Sequence, residues 1–266
     1  MESRSPGELP RRNADAPWDH FDTRAYIEHN YRSVSDVDAE IISIVRDHFA
    51  DHFSRNADHF SRNPERPARG IDVGAGANLY PALAMLPWCE QITLLDRSRN
   101  NYRYLREQRD GYDPAWDQFW DILSRDGAYA ALTHERREKF RQVVRVEQND
   151  LFNLTDRQGS WSLGTMFFVA ESLSTSYEEF QHGVECFLRT LAPGAPFAAA
   201  FMEHSKGYEV GGQWFPACDV SESQVYDCMA GWSGKLETRH VGRPNEVRAG
   251  YTGMIVACGF RDPGIS

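Results

Sequence analysis

The chain predicts an α/β fold built on a mostly parallel, doubly wound sheet with a helical cap ahead of it, and three observations carry that prediction. Short apolar runs, "GIDV" (70–73), "QITLLD" (91–96), "VVRVEQND" (143–150), "TMFFVA" (165–170) and "FAAAFM" (197–202), recur with helix-length connections between them. Runs that do not alternate apolar with polar suit strands covered on both faces, as in parallel sheets. The first run leads straight into two glycines at spacing two, "RGIDVGAGANLY" (69–80), where a backbone must pass close to something. Finally, 266 residues with 41% hydrophobic content suffice to bury one such domain and some extra helices.

Taken in order, residues 1–15 offer nothing to bury and are expected to be a disordered tail. Residues 16–66 read as the helical cap, with Ile41, Ile44, Val45 and Phe49 on one stripe at three- and four-residue spacings. Within it "HFSRNAD" (52–58) is nearly repeated as "HFSRNPE" (59–65), a local duplication too short for a solenoid. His48 and His52 stand four apart, but without a carboxylate of the H-E-x-x-H type they read as helix surface, and no metal is expected. Residues 67–266 form the α/β domain, with an insert at 110–142. "SYEEFQHGVECFLRTL" places Phe180, Val184, Phe187, Leu188 and Leu191 on one helix face before Pro193-Gly194 turns the chain. "SESQ" (221–224) has the form of a capping box, and "KLETRHV" with "GYTGMIVACGF" closes the sheet as a strand pair, giving seven strands.

Composition narrows the partners. A net charge of -10, from 29 basic against 39 acidic residues, argues against a nucleic-acid footprint. Five cysteines without a C-x-x-C pair signal neither a disulfide framework nor zinc, and they read as core thiols of a cytoplasmic protein. No run approaches the ~20 apolar residues of a membrane span, and the N-terminus lacks a signal peptide's apolar segment. A small-molecule partner is expected.

The glycine loop specifies the ligand further. Gly74 and Gly76 end the first strand, and Asp96 closes the second, where a carboxylate can accept from both ribose hydroxyls of an adenosine. The third glycine of G-x-G-x-x-G, which lets a helix N-terminus approach a pyrophosphate, is here Leu79, followed by Tyr80. S-adenosylmethionine has no phosphate and loses little by that change, so it is favoured over a nicotinamide dinucleotide. An NAD(P)-dependent oxidoreductase and a non-catalytic S-adenosylmethionine-binding module remain the alternatives. Asp150 and Leu151 follow the third strand, where a carboxylate can take an adenine amino group while a backbone N–H meets a ring nitrogen. After the fourth strand the chain reads "AESL", not the N-P-P-Y type motif of amino-directed nucleic-acid methyltransferases.

From about residue 21 the sequence resembles the class I S-adenosylmethionine-dependent methyltransferases, and within them the nicotinamide, phenylethanolamine and indolethylamine N-methyltransferases. "FDTRAYIEHNYRS" looks like that family's N-terminal segment, in which two tyrosines, here Tyr26 and Tyr31, help cover the cofactor. "DVGAGANLY" resembles its D-[IV]-G-[SA]-G-P-x-x-Y loop, with Ala77 in place of proline; the match adds Asp72 to the cofactor residues and sets Tyr80 to reach the methionine carboxylate. "LLDRSRNN" matches the end of the second strand, with Asp96 on the ribose and Asn101 nearby, and Ala170 joins the same set. The aspartate- and tryptophan-containing insert and "SKGYEVGGQWF", within a hairpin at 205–217 that helps build the acceptor pocket, also resemble the family.

The resemblance implies a Rossmann-like class I methyltransferase fold, conversion of S-adenosylmethionine to S-adenosylhomocysteine, and a small aromatic or heteroaromatic acceptor methylated at an amine nitrogen or an indole-type carbon. Tyr26, Tyr31, Tyr208 and Trp214 are candidate pocket walls, with Phe215 read as hairpin packing. Glu203 and His204, after the fifth strand, are candidates to orient the amine and take its proton, although residues 201–204 depart from the family's substrate-binding acids. Tyr26 and Tyr31 would lie ~140° apart on a continuous helix, so both can touch one ligand only if the helix breaks or wraps its end around the site.

Overall fold

The computed structural model describes residues 12–55, 68–244 and 252–264. Seven strands form the main sheet: β1 (Arg69–Val73), β2 (Gln91–Asp96), β3 (Val144–Gln148), β4 (Leu163–Phe167), β5 (Pro196–Met202), β8 (Ser233–Val241) and β9 (Met254–Arg261). Their spatial order is β3-β2-β1-β4-β5-β9-β8. The first five run parallel, and β9 is inserted antiparallel between β5 and β8. A separate hairpin pairs β6 (Tyr208–Val210) with β7 (Gln213–Phe215).

Strand periodicity sends successive side chains to opposite faces, and each face is covered. Leu94, Ala198, Ala200 and Val256 face a core closed by α2 (Asp36–Arg55), α3 (Tyr80–Met85) and the insert. Leu95, Phe197, Ala199 and Ile255 face the other, closed by α8 (Tyr177–Thr190) and α9 (Glu222–Ala230). The insert is helical, comprising α5 (Asp117–Leu123), α6 (Gly127–Leu132) and α7 (Arg136–Val143) after α4 (Arg99–Asp110), and buries Trp116, Phe119, Trp120 and Tyr129. Ser176 caps α8 by accepting from the Glu179 N–H, and Ser221 with Gln224 makes a full capping box on α9. Gly194 turns at φ +77 where the Pro-Gly break is expected.

The cap differs from the sequence expectation. Residues 13–15 and 18–20 are single 3-10 turns, followed by α1 (Thr23–Asn30) and then α2. Tyr31 leaves α1 at φ -129, ψ 13, so the helix does break between the two tyrosines, whose rings meet edge to face at 5.8 Å. Of the stretch 1–15 expected as a tail, residues 12–15 are described and Asn13 is packed inside, only 2% exposed, while residues 1–11 lie outside the described residues. Most of the "HFSRN" duplication lies outside the described residues. His48 and His52 pack their rings on Phe260, and burial drives His48 down to about 4. Among the described residues no helix is long and apolar enough to cross a membrane.

Candidate cofactor and acceptor site

Two adjoining cavities open at the carboxyl ends of the parallel strands, where ligands of such sheets gather. The first, of about 110 Å³, is floored by the glycine loop. Gly74 (φ +64) and Gly76 (φ +57) occupy the left-handed region that other residues avoid, and a Cβ on Gly74 would meet Val169 at 2.6 Å. The Gly76 N–H donates to Asp96 Oδ2 at 2.8 Å, while Asp96 Oδ1 accepts from the Ser98 N–H at 2.8 Å and Asn101 Nδ2 at 3.3 Å. Burial pushes the Asp96 carboxyl up to about 6 in spite of those donors. Asn101 is held in turn by the Thr23 hydroxyl at 2.8 Å, which ties α1 to the loop after β2.

Across the cavity, Asp150 accepts from the Phe152 N–H at 3.0 Å and pairs with Arg97 at 3.2 Å. It also accepts from Asn13 Nδ2, at 3.0 and 3.2 Å to its two oxygens. Asn13 is fixed by donating its own N–H to Glu179 Oε2 at 2.7 Å and by accepting from Trp18 Nε1 at 2.8 Å. Leu151 completes this wall. Asn78 is 7% exposed and lines the cavity; its Oδ1 accepts from the Tyr80 N–H, but its Nδ2 is buried with no partner. A buried donor without an acceptor is costly, and a ligand carboxylate would satisfy it. The donor set thus fits an adenosine bearing an amino-acid tail.

The second cavity, of about 240 Å³, shares Tyr26, Tyr31, Phe168, Ser172 and Tyr208 with the first. Phe168 sits at φ +60, an uncommon conformation for a bulky residue and worth about 1–3 kcal/mol of strain, with its N–H fixed to the Ala200 carbonyl at 2.7 Å. That turn ends β4 at Phe167, earlier than the apolar run suggests, and swings an aromatic ring between the two cavities. Met202, Ser205 and Met254 line the far side.

Several expected residues lie elsewhere. Glu203 and His204 line neither cavity. His204 turns at φ +56, hydrogen-bonds its N–H to the Val220 carbonyl and points its ring at Asp219, 2.8 Å away. Glu203 accepts from the Thr252 hydroxyl and pairs with His240 at 3.1 Å; despite burial these partners hold its carboxyl below the usual range. It braces β5 against the β8–β9 pair. Trp214 alternates outward along β7 and is 45% exposed, whereas Phe215 is buried against Trp18 and Tyr208.

Asp72 points into the sheet, accepting from the Thr165 hydroxyl at 2.8 Å, and burial pushes it up to about 8. Ala170 is buried beside Gly183 of α8, leaving the cavity wall to Val169 and Ser172. Tyr80 is sealed below the loop, stacked on Phe119, with its hydroxyl unpartnered. The positions of Gly74, Gly76, Asp96, Asn101, Asp150, Leu151, Tyr26, Tyr31 and Tyr208 agree with a place in the cavity walls. Asn13, Asn78 and Phe168 are not singled out by the sequence: Asn13 is a single polar residue outside any pattern, Asn78 fills an unspecified position of the glycine-loop motif, and Phe168 hides inside an apolar run.

Known proteins extend these observations. The chain matches the model of the NNMT/PNMT/TEMT family over residues 12–248. No curated protein sequence matches it. Among solved structures, an S-adenosylmethionine-dependent methyltransferase from Methanosarcina mazei superposes over 74% of this chain and 94% of its own at 11% identity and a TM-score of 0.50, a likeness of fold. The PH0226 protein from Pyrococcus horikoshii OT3 covers 90% of this chain and 97% of its own at 11% identity (TM-score 0.49). The N-methyltransferase NodS from Bradyrhizobium japonicum WM9, solved with S-adenosylhomocysteine, covers 74% and 78% at 11% identity (TM-score 0.45). The dinucleotide oxidoreductase alternative ends here: the family match spans the cap and nearly the whole sheet, and the chain belongs to the NNMT/PNMT/TEMT family, as an S-adenosylmethionine-dependent methyltransferase.

Proposed function

We propose that this methyltransferase acts on a small aromatic or heteroaromatic amine, methylated at nitrogen, in small-molecule metabolism. The observation that carries this reading is the second cavity, which meets the first across Tyr26, Tyr31, Phe168 and Tyr208 and, at about 240 Å³, has room for a small ring against these aromatic walls. Bound S-adenosylmethionine supplies an already activated methyl group, so the protein mainly aligns donor and acceptor and excludes water. In this reading Asp96 accepts the ribose hydroxyls, Asp150 takes the adenine amino group once Asn13 yields it, and Asn78 donates to the methionine carboxylate. The early tyrosines cover the junction, where aromatic faces suit a sulfonium. The test is a product screen by mass spectrometry, using purified protein, S-adenosylmethionine and a panel of arylamines, arylalkylamines and indoles. The expected result is S-adenosylhomocysteine formed together with an N-methylated ring compound. Turnover restricted to non-aromatic acceptors, or none across the panel, overturns the reading.

A further inference from the structure

One carboxyl group in the wall of the second cavity has no role in the site as built so far. Asp38 lies in the first turn of α2 and is only 6% exposed, yet it lines the cavity. Its rotamer is fixed: the Ser35 hydroxyl donates to Asp38 Oδ2 at 2.6 Å and accepts from the Asp38 N–H at 3.0 Å. Among the described residues no arginine, lysine or histidine pairs with it, and none of the described lining residues of the cavity is a lysine or arginine. The other titratable side chains around the space are Asp36 and His29 at the exposed rim and the tyrosines Tyr26, Tyr31 and Tyr208. Asp38 lies close enough to Tyr31 and to the buried Tyr80 for its charge to oppose ionisation of both phenols.

A carboxylate buried without a cation is costly, and a cationic ligand removes that cost. Burial raises the Asp38 carboxyl above its usual value against the Ser35 hydrogen bonds that lower it, the direction expected of an acid that no cation faces. The surrounding walls suit such a partner: the rings of Tyr26, Phe168 and Tyr208 accept an aromatic ring or a cation, and Met202 and Met254 adapt to its outline. Resting on the amine reading above, we infer that Asp38 is the acceptor-binding acid: it receives the protonated nitrogen of a basic acceptor through a charge-assisted hydrogen bond and takes that proton, freeing the nitrogen lone pair for the methyl group, and so makes the enzyme select cationic amines over neutral rings of the same shape.

The experiment pairs Asp38→Asn with isosteric probes. Asparagine keeps the oxygen that accepts from Ser35 and removes only the charge. With an arylalkylamine from the product screen, KM is expected to rise about tenfold or more, the loss of a hydrogen bond to a charged group, while S-adenosylhomocysteine affinity by calorimetry stays within about twofold. The alcohol isosteres 2-phenylethanol and tryptophol, used as competitive inhibitors, should bind the two proteins alike. Amine turnover with KM unchanged in Asp38→Asn overturns the assignment of Asp38 and leaves the acceptor reading standing. A protein that turns over no amine but methylates another class of compound overturns both. If the variant does not fold, the wild-type enzyme decides: 2-phenylethylamine and tryptamine must out-compete their alcohols at least tenfold, and equal inhibition overturns the inference.

Discussion

The two cavities are built in different ways. The first hangs on the sheet: its loop follows β1, Asp96 ends β2 and Asp150 follows β3, and these ends are locked together by hydrogen bonds from Ala75 to Leu95 and from Asn149 to Asp96, both 3.0 Å. The second touches the sheet where Met202 of β5 lies opposite Met254 of β9, and is otherwise gathered from the α1–α2 junction, the turn at Phe168 and the β6–β7 hairpin. Strand ends fix a ligand's position to the precision of the sheet, whereas loops over a rigid frame vary with little cost to the frame. In the proposed reading the donor half is thus a fixed fitting, and the acceptor half is where specificity is set.

Substitutions can break that contrast or sharpen it. The largest effect is expected at Asp96→Ala, which removes the acceptor of three donors, Gly76, Ser98 and Asn101. The loss of charge-assisted bonds, about 1.5–3 kcal/mol, should weaken S-adenosylhomocysteine binding by roughly ten- to a hundredfold in calorimetry; unchanged affinity would remove Asp96 from the donor site. Asn78→Ala comes next. It deletes the orphaned amide, and an effect of about 1 kcal/mol, or roughly fivefold in the same measurement, is expected. Stronger binding would mean that the amide does not face the ligand.

A smaller effect concerns the frame beneath both cavities. Asp72 has its carboxyl raised from 3.8 to about 8 by burial, with the Asp96 charge adding to the shift. The folded chain therefore holds that proton where the unfolded chain has lost it, so this group's contribution to stability is complete below the unfolded value and is lost as pH rises through about 8. Asp72→Asn keeps an acceptor for Thr165 and removes the charge, so its melting temperature should fall less between pH 5 and pH 8 than that of the wild type, by several degrees. Equal slopes would contradict a buried, proton-retaining Asp72. The smallest effect is Trp214→Ala: with the ring facing solvent, KM for the acceptor should stay within about twofold. A tenfold rise would return the hairpin's outer face to the acceptor site.

The same contrast explains what the sequence disclosed. Apolar runs and glycines report where a strand ends, so the loop, Asp96 and Asp150 could be placed from order along the chain. Glu203 and His204 follow a strand in the same way, but order does not give direction: a left-handed turn at His204 and the Thr252–His240 brace carry both side chains away from the cavity. Asn13 was unreadable for another reason. Its partners Asp150 and Glu179 are 137 and 166 residues distant, and nothing local marks an asparagine in a polar stretch as buried. Asp38 looks in sequence like any acid opening a helix, the commonest place for one. What distinguishes it is the cavity beside it, which only tertiary packing creates.

The place of β9 makes one border of the sheet depend on a single late strand. β5 is an almost wholly buried strand, "PFAAAFM", whose second edge is covered by β9, with Pro196 opposite Phe260 and Met202 opposite Met254. β8 is synthesised first and carries the alternating charged side chains suited to an outer edge, but it pairs with β9 and cannot reach β5 without it. Without residues 254–261 the apolar border of β5 is uncovered and β8 has no strand to dock on. That border is an edge to which another chain could pair, so a partly folded molecule that has not yet seated β9 is the form expected to aggregate.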